Sequence, residues 1–213
     1  MNHRSKLRYV SIVGCFLFVA LSSIAVAAEK KQISQVINLY EGTLSYPVAY
    51  WMEENGDLSD FKVFRQQEQN SFTLEQIPKS QEFEHWTTIY GVYAWYLPEY
   101  DFKRFVAESF RAMALGCKEK PTSMLITSED GRMVTTFHCQ SLADPFVVNG
   151  NNVESGFLYL SYTGKTFVKV YQAWRGKAED MGTTKWPLNE KSITKNVKNF
   201  LSMRLLSAEL PKP

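Results

Sequence analysis

The segment FLYLSYTGKTFVKVYQAW, residues 157–174, decides the fold class of this chain. Aromatic and β-branched residues fill positions 157–163 and 166–174, a composition that predicts two strands. Between them, Thr163-Gly164-Lys165 has the residue types of a tight turn, so the two strands should form a hairpin. Glu129-Asp130-Gly131 predicts a second hairpin upstream. Because hairpins join antiparallel neighbours, the sequence predicts an antiparallel sheet.

Outward from this segment, composition predicts further strands and helical periodicity predicts two helices. The strands lie at residues 44–52, 61–65, 72–77, 85–96, 123–127 and 133–140. One helix covers residues 100–115, with Asp101 as its N-cap and Gly116 as its stop. The other covers residues 189–206, with an apolar stripe of Ile193, Val197, Phe200 and Leu201. Amphipathic helices need an apolar surface to cover, so we expect an α+β fold with an antiparallel β-sheet flanked by amphipathic helices.

The N-terminal residues have the pattern of a cleavable signal peptide. Arg4, Lys6 and Arg8 precede a mostly apolar run over residues 9–28. The run ends in the small residues of Ala25-Val26-Ala27-Ala28, which predict cleavage after Ala27 or Ala28. The predicted organisation is therefore a signal peptide at residues 1–28 and a single mature domain at residues 29–213. This places the mature protein in the periplasm or outside the cell, with no transmembrane segment.

The N-terminal residues also match two other patterns. An uncleaved membrane anchor is the first, because the apolar run is nearly long enough to span a bilayer. The second is a lipoprotein, because Ile12-Val13-Gly14-Cys15 resembles a lipobox. In lipoproteins the apolar region precedes the cysteine, whereas here most of it follows Cys15, and the small-residue site favours cleavage over an anchor.

Charge argues against nucleic acid as a partner. The chain has 24 basic and 22 acidic residues, and the predicted signal peptide holds three of the basic ones and none of the acidic ones, so the mature domain has 21 minus 22, a net charge of −1. The excess positive charge thus belongs to the signal peptide. Charge is unevenly distributed, since residues 29–163 have net −7 and residues 164–213 have net +6.

The mature domain contains two cysteines, Cys117 and Cys139. In an exported chain the expected state of such a pair is a disulfide, worth about 3 kcal/mol for a loop of this length. A thiol enzyme using His138 and Cys139 is the alternative. Neighbouring strand residues point to opposite faces, so these two cannot serve as base and nucleophile.

Two segments resemble parts of small bacterial PsbP-like proteins. Residues 78–87, PKSQEFEHWT, resemble an early strand of that family, and residues 164–175, GKTFVKVYQAWR, resemble its late hairpin. The order of elements between them is similar, over most of residues 44–206. The resemblance implies an antiparallel sheet with helices on both sides, used for binding and assembly, without catalytic residues. The chain also looks like the small proteins that intracellular Gram-negative pathogens release by type II secretion.

No catalytic, metal or cofactor motif is present in the sequence. Gly164-Lys165-Thr166 matches the end of a phosphate-binding loop, but position 159 is Tyr where that loop requires Gly. His85 and His138 lack metal-ligand spacing. We therefore expect a non-enzymatic binding protein, with a secreted hydrolase acting on envelope or host polymers as the alternative hypothesis.

Two groups of residues are candidate binding sites. Strand alternation puts Trp86, Tyr90 and Tyr96 on one face, either as an exposed aromatic groove or as a large core, and Tyr93 and Trp95 on the other face. Lys191, Lys195 and Lys198 lie opposite the apolar stripe of the second helix. The partner is unknown. These residues would suit an anionic lipid, a glycan or a protein, with a solvated lysine surface as the plainer interpretation.

Overall fold

The central element is a seven-stranded antiparallel sheet. The computed structural model describes residues 32–186 and 188–208, so the predicted signal peptide and Cys15 lie outside the described residues. The elements are β1 (Ser34–Leu39), β2 (Gly42–Pro47), α1 (Tyr50–Asn55), β3 (Lys62–Gln67), β4 (Ser71–Ile77), β5 (Thr88–Tyr96), α2 (Phe102–Ala114), β6 (Leu125–Glu129), β7 (Arg132–Cys139), β8 (Val153–Thr163), β9 (Thr166–Gly176), α3 (Glu190–Ser202) and β10 (Arg204–Ser207). The large sheet has the order β3-β4-β5-β9-β8-β7-β6.

Both predicted hairpins are present. Thr163 pairs with Thr166 across the β8–β9 turn, and Glu129 pairs with Arg132 across the β6–β7 turn. Gly164 and Gly131 occupy these turns with φ of 53° and 73°, a left-handed conformation that glycine adopts without steric cost. The strand at residues 157–163 was predicted too short, since β8 begins at Val153. The α+β class, with helices on both sides of the sheet, is confirmed.

A second, three-stranded sheet was not predicted. It has the order β1-β2-β10 and is antiparallel. Two predicted boundaries are wrong for this reason. Residues 50–52 begin helix α1, which buries Trp51 and Met52 next to each other, rather than extending a strand from residue 44. Residues 204–206 leave the last helix and pair with β2, because that pairing satisfies backbone groups at the end of the chain.

The large sheet has two differently covered faces. The α3 face carries Tyr90, Val92, Phe157, Val168 and Trp174, and it packs against the small sheet, α1 and α3. The opposite α2 face carries Ile89, Phe137, Leu158, Leu160 and Phe167, and helix α2 packs on part of it. Alternate residues of β8 and β9 therefore enter two cores, which explains why segment 157–174 is apolar nearly throughout.

Helix α2 is fixed at both ends. The side chain of Asp101 accepts a hydrogen bond of 2.7 Å from the backbone N–H of Arg104, as predicted for an N-cap. Just beyond the C-terminal end, Cys117 forms a disulfide with Cys139 at the end of β7, with the Cα atoms 5.7 Å apart. The predicted pairing is thus present, and it ties the end of the helix to the sheet beneath it.

Helix α3 packs through most of the predicted stripe, since Val197, Phe200 and Leu201 contact the core, but its buried surface also includes two asparagines. Ile193 is 39% exposed, whereas Asn196, Asn199 and Phe200 are buried. The amides are hydrogen-bonded in part, since Asn196 Nδ2 donates to the carbonyl of Ser192 and Asn199 Oδ1 accepts from Gln32 Nε2, whereas Asn196 Oδ1 is buried without a hydrogen-bond partner in the described part of the chain. Apolar periodicity could not anticipate a packed surface that includes hydrogen-bonded asparagines. Among the described residues, no helix is long and apolar enough to span a membrane.

Candidate ligand-binding face

Polar side chains form a chain of contacts across the α2 face of the central strands. Tyr93 Oη donates a hydrogen bond of 2.6 Å to Glu75 Oε1, and Tyr171 Oη donates to Glu154 Oε1. Arg175 Nε donates to the other oxygen of Glu154 at 2.6 Å. Burial, and then the neighbouring carboxylate, raise the pKa of both tyrosines well above the ordinary value. These phenols therefore stay neutral donors over the physiological pH range.

Gly91 makes room for this arrangement. In the strand register Gly91 lies between Glu75 of β4 and Tyr171 of β9. A Cβ at this position would come within 2.6 Å of the Tyr93 ring and its hydroxyl oxygen. Because glycine leaves that space open, the Tyr93 ring lies along its own strand and reaches Glu75.

Within the described residues, one pocket beside α2 is the Arg175 pocket, with a volume of about 330 Å³. Its wall includes Met113, Phe137, Tyr171, Arg175 and the disulfide. The guanidinium of Arg175 stacks on Trp86, with Cζ 3.7 Å from the ring centroid. Arg175 is thereby held between Glu154 and an aromatic ring. The pocket presents a fixed cation in mainly apolar surroundings.

A second pocket beside α2 is the Lys169 pocket, with a volume of about 260 Å³. Trp95, Leu97, Phe105 and Ala112 form apolar walls, and Ala112 also lines the Arg175 pocket. The Lys169 ammonium lies 4.5 Å from the centroid of the Tyr93 ring and 5.5 Å from that of Trp95. Burial lowers the pKa of Lys169 to about 8, against a smaller opposing effect of Glu75.

The predicted aromatic residues do not form one surface. Tyr90 is 1% exposed, and its hydroxyl donates to the carbonyl of Pro47, so the core interpretation is confirmed for this residue. Tyr96 is half-buried and contacts Tyr40 at a centroid distance of 6.0 Å. Trp86 packs on the opposite, α2 face. The alternation prediction was wrong for Trp86 because a 3₁₀ turn at Phe83–His85 precedes it and β5 begins only at Thr88.

The predicted lysine surface of α3 is divided. Lys195 Nζ lies 3.1 Å from Glu53 Oε2 on α1, so this lysine forms an ion pair within the protein. Lys191 and Lys198 are exposed. A binding role for these lysines stays a prediction, and it rests on less free charge than the helical wheel suggested.

The potential metal ligands and the predicted His138–Cys139 alternative have defined surroundings within residues 32–186 and 188–208. No group of three or more His, Cys, Asp or Glu residues there could hold a metal ion. Cys139 is in the disulfide, so it is not the partner of His138. His138 Nδ1 instead lies 2.7 Å from Ser155 Oγ, and burial lowers the pKa of the imidazole. This Ser–His contact lies outside both pockets.

The residues that line the pockets were missed by sequence reasoning. Lys169, Glu154 and Arg175 lie in strands that are covered on both faces. The sequence does not show this coverage, so each residue looked like an ordinary charged residue on the solvent side of a strand. The available signal was Lys169 between Val168 and Val170, a charge in the centre of a predicted strand. Recognising it required the strand order, which places β9 in the middle of the sheet.

Comparison with solved structures gives a distant structural similarity. The chain is similar to the crystal structure of the Ran-binding protein Mog1p of Saccharomyces cerevisiae, with 11% identity and a TM-score of 0.46, over 82% of this chain and 96% of that one. No family model matches the chain, and no curated protein matches it. A similarity at this level carries no argument about function.

Proposed function

We propose that this chain is an exported, non-enzymatic binding protein that acts in the periplasm or outside the cell and recognises its partner through the α2 face. The observation that carries the proposal is the pair of pockets beside α2, each with a cation against aromatic rings. Pockets with apolar walls and a few placed polar groups are typical of ligand sites.

The charged groups of this face favour binding over catalysis. Glu154 is engaged by Tyr171 and Arg175, and Glu75 accepts from Tyr93. A general base must be within reach of a substrate proton, and these carboxylates are already occupied by protein donors. The PsbP-like resemblance supports the same function, since that family is used for binding and assembly. For a type II secretion substrate, the partner would be a host molecule.

Site-specific photocrosslinking tests the binding surface. A benzoylphenylalanine at Leu115, which is 76% exposed at the edge of the Arg175 pocket, should capture a partner in periplasm or culture medium. The matched control is the same residue at Val36, which is 68% exposed on β1 of the small sheet. Equal crosslinking at both positions, or none at Leu115, would count against the α2 face as the binding surface.

Export is tested separately by the N-terminus of the mature chain. The full chain expressed in a Gram-negative host should begin at Ala28 or Glu29 when recovered from the periplasm or medium. Retention of residues 1–27 in the membrane fraction would favour an anchor, and a lipidated Cys15 would favour a lipoprotein. Either result would change the compartment without changing the described fold.

A secreted hydrolase is the second candidate function, and the Ser155–His138 contact is the observation that favours it. Ser155 is only 8% exposed, which leaves little room for a substrate carbonyl. A fluorophosphonate probe, which labels activated serines, should therefore fail to label the wild-type protein. Labelling that disappears in Ser155→Ala would establish the hydrolase and overturn the non-enzymatic proposal.

A further inference from the structure

The ammonium of Lys169 makes no direct hydrogen bond or ion pair within the described residues, and Glu75 is a carboxylate that acts on it at longer range. Its Nζ lies over two aromatic rings, at 4.5 Å from the centroid of Tyr93 and 5.5 Å from that of Trp95. A half-buried cation without an acceptor costs free energy that an arriving anion would recover. The amine is therefore the group in this pocket that most needs a ligand.

The rest of the pocket supplies an apolar compartment beside that amine. Trp95, Leu97, Phe105 and Ala112 line it. A volume of about 260 Å³ lies below the roughly 300–1,000 Å³ usual for ligand pockets, which suits one small molecule or one side chain. The other charged residue of the lining, Glu108, has its carboxylate held by Arg104 at 3.0 Å and by the Tyr100 hydroxyl at 2.9 Å.

We propose that the Lys169 pocket binds a carboxylate attached to a single aromatic or branched aliphatic group. The carboxylate would accept hydrogen bonds from the Lys169 ammonium, and the apolar group would pack against Trp95 and Phe105. The assignment rests on the proposed binding function and specifies the chemistry of its ligand. A monoanion is favoured over a phosphate dianion, because the carboxylates of Glu75 and Glu108 repel a second negative charge.

The pH dependence of binding distinguishes Lys169 from an ordinary surface lysine. With its pKa lowered to about 8, Lys169 is mostly charged at pH 7 and mostly neutral at pH 9.5. The affinity for a carboxylate should therefore fall roughly 30-fold between these pH values, whereas a lysine with an ordinary pKa would show almost no loss.

The other titratable groups around the amine do not mimic this loss. The charged groups on the neighbouring elements are the carboxylates of Glu75 on β4, Glu154 on β8 and Glu108 on α2. Tyr93 on β5 and Tyr171 on β9 have pKa values raised well above the ordinary one, chiefly by burial, so they stay neutral between pH 7 and 9.5. The change in affinity is therefore assigned to Lys169.

Calorimetric titration with 3-phenylpropionate tests the proposal, with 3-phenylpropionamide as the neutral ligand of nearly the same shape. The acid should bind at least tenfold more tightly than the amide at pH 7 and lose this advantage at pH 9.5. Lys169→Met should bind the two ligands equally. Lys165→Met, which removes an exposed lysine from the β8–β9 turn, should behave as wild type. Equal binding of acid and amide by the wild type would overturn the assignment.

A pair of short peptides ending in phenylalanine identifies the source of the carboxylate. Binding of the peptide with a free C-terminus but not of its amide supports the proposal with a protein C-terminus as ligand. Binding of the free acid alone supports it with a small molecule as ligand. If no carboxylate binds better than its amide while Leu115 still crosslinks a partner, the binding function stands and the carboxylate assignment falls. If crosslinking fails but carboxylates bind through Lys169, the partner surface is wrong and the pocket is retained.

Discussion

Replacing Lys169 by methionine should stabilise the protein at neutral pH, although it removes two cation–π contacts. The side chain of methionine has a similar length, and it occupies the same apolar surroundings without a charge. The wild-type ammonium loses hydration when it is buried there, and this desolvation lowers the pKa of Lys169 from 10.5 to about 8. This free-energy cost is therefore present at every pH at which Lys169 is protonated in the folded protein.

The magnitude follows from the two pKa values. At about 1.36 kcal/mol per pH unit, keeping this amine charged in the folded state at pH 7 costs about 3 kcal/mol. A folded pKa below the unfolded one means that the unfolded chain binds the extra proton between about pH 8 and 10.5, so wild-type stability rises with pH across that window. Loss of the cation–π contacts offsets roughly 1–2 kcal/mol, leaving Lys169→Met about 1–2 kcal/mol more stable at pH 7.

Urea unfolding at pH 7 and pH 9.5 measures the effect. The stability difference between Lys169→Met and wild type should shrink by about 2 kcal/mol between the two pH values. Alkaline destabilisation from the buried tyrosines is common to both proteins and cancels in the difference. Lys165→Met supplies the control, with no pH-dependent difference expected from an exposed lysine. A difference that is independent of pH, or a variant less stable than wild type at pH 7, would contradict a desolvation cost at Lys169.

Three further predictions concern contacts that the structure describes. Cys139→Ser should lower the free energy of unfolding by about 3 kcal/mol. Mass spectrometry of unreduced wild-type protein should show the peptide of Cys139 linked to that of Cys117. Arg175→Ala should cost about 3 kcal/mol in urea unfolding, because it leaves the nearly buried Glu154 carboxylate without its cation, whereas replacing both residues by apolar ones should cost less. Lys195→Gln should lower the free energy of unfolding by about 1 kcal/mol through loss of the Glu53 ion pair, whereas Lys191→Gln should not. If replacement of Lys191, Lys195 and Lys198 instead abolishes binding to anionic vesicles without changing stability, the predicted lysine binding surface is correct.

Local signals in the sequence were sufficient for the hairpins, the capped helix and the disulfide. Glycine at a tight turn, an aspartate before an amphipathic run and a pair of cysteines in the predicted mature domain each act through neighbouring atoms or chain connectivity. Gly164, Asp101 and the Cys117–Cys139 pair accordingly appear where they were expected. The α+β class follows from these elements alone.

The small sheet could not be predicted in the same way. Its strands β1 and β10 come from opposite ends of the described chain and are joined through β2. Each is short, at six and four residues, so neither has a strong periodic pattern. Pairing between such distant segments is decided by tertiary packing, which also turned residues 50–52 into helix.

The candidate site was missed for a related reason. Its polar groups come from four strands, β4, β5, β8 and β9, and from α2. The strand register brings the strand residues together, and the packing of α2 on the sheet adds the helix. In the sequence Glu154 and Arg175 are 21 residues apart, with nothing between them that marks a pair. Trp86 was assigned to the wrong face because strict alternation assumes that a strand begins before it, and the strand begins two residues later.

The energetic difference between the two faces of the large sheet is an argument for the α2 face as the functional one. The α3 face beneath the small sheet is filled by large apolar residues such as Phe157, Val168 and Trp174, which stabilise the fold by burial. On the α2 face, the cost of about 3 kcal/mol at Lys169 is a large fraction of the roughly 5–15 kcal/mol by which a domain is stable. A methionine would remove that cost, so packing does not account for an amine at this position. The proposed anionic ligand would account for it, because it would bring a negative charge into direct contact with the ammonium, which no described residue does.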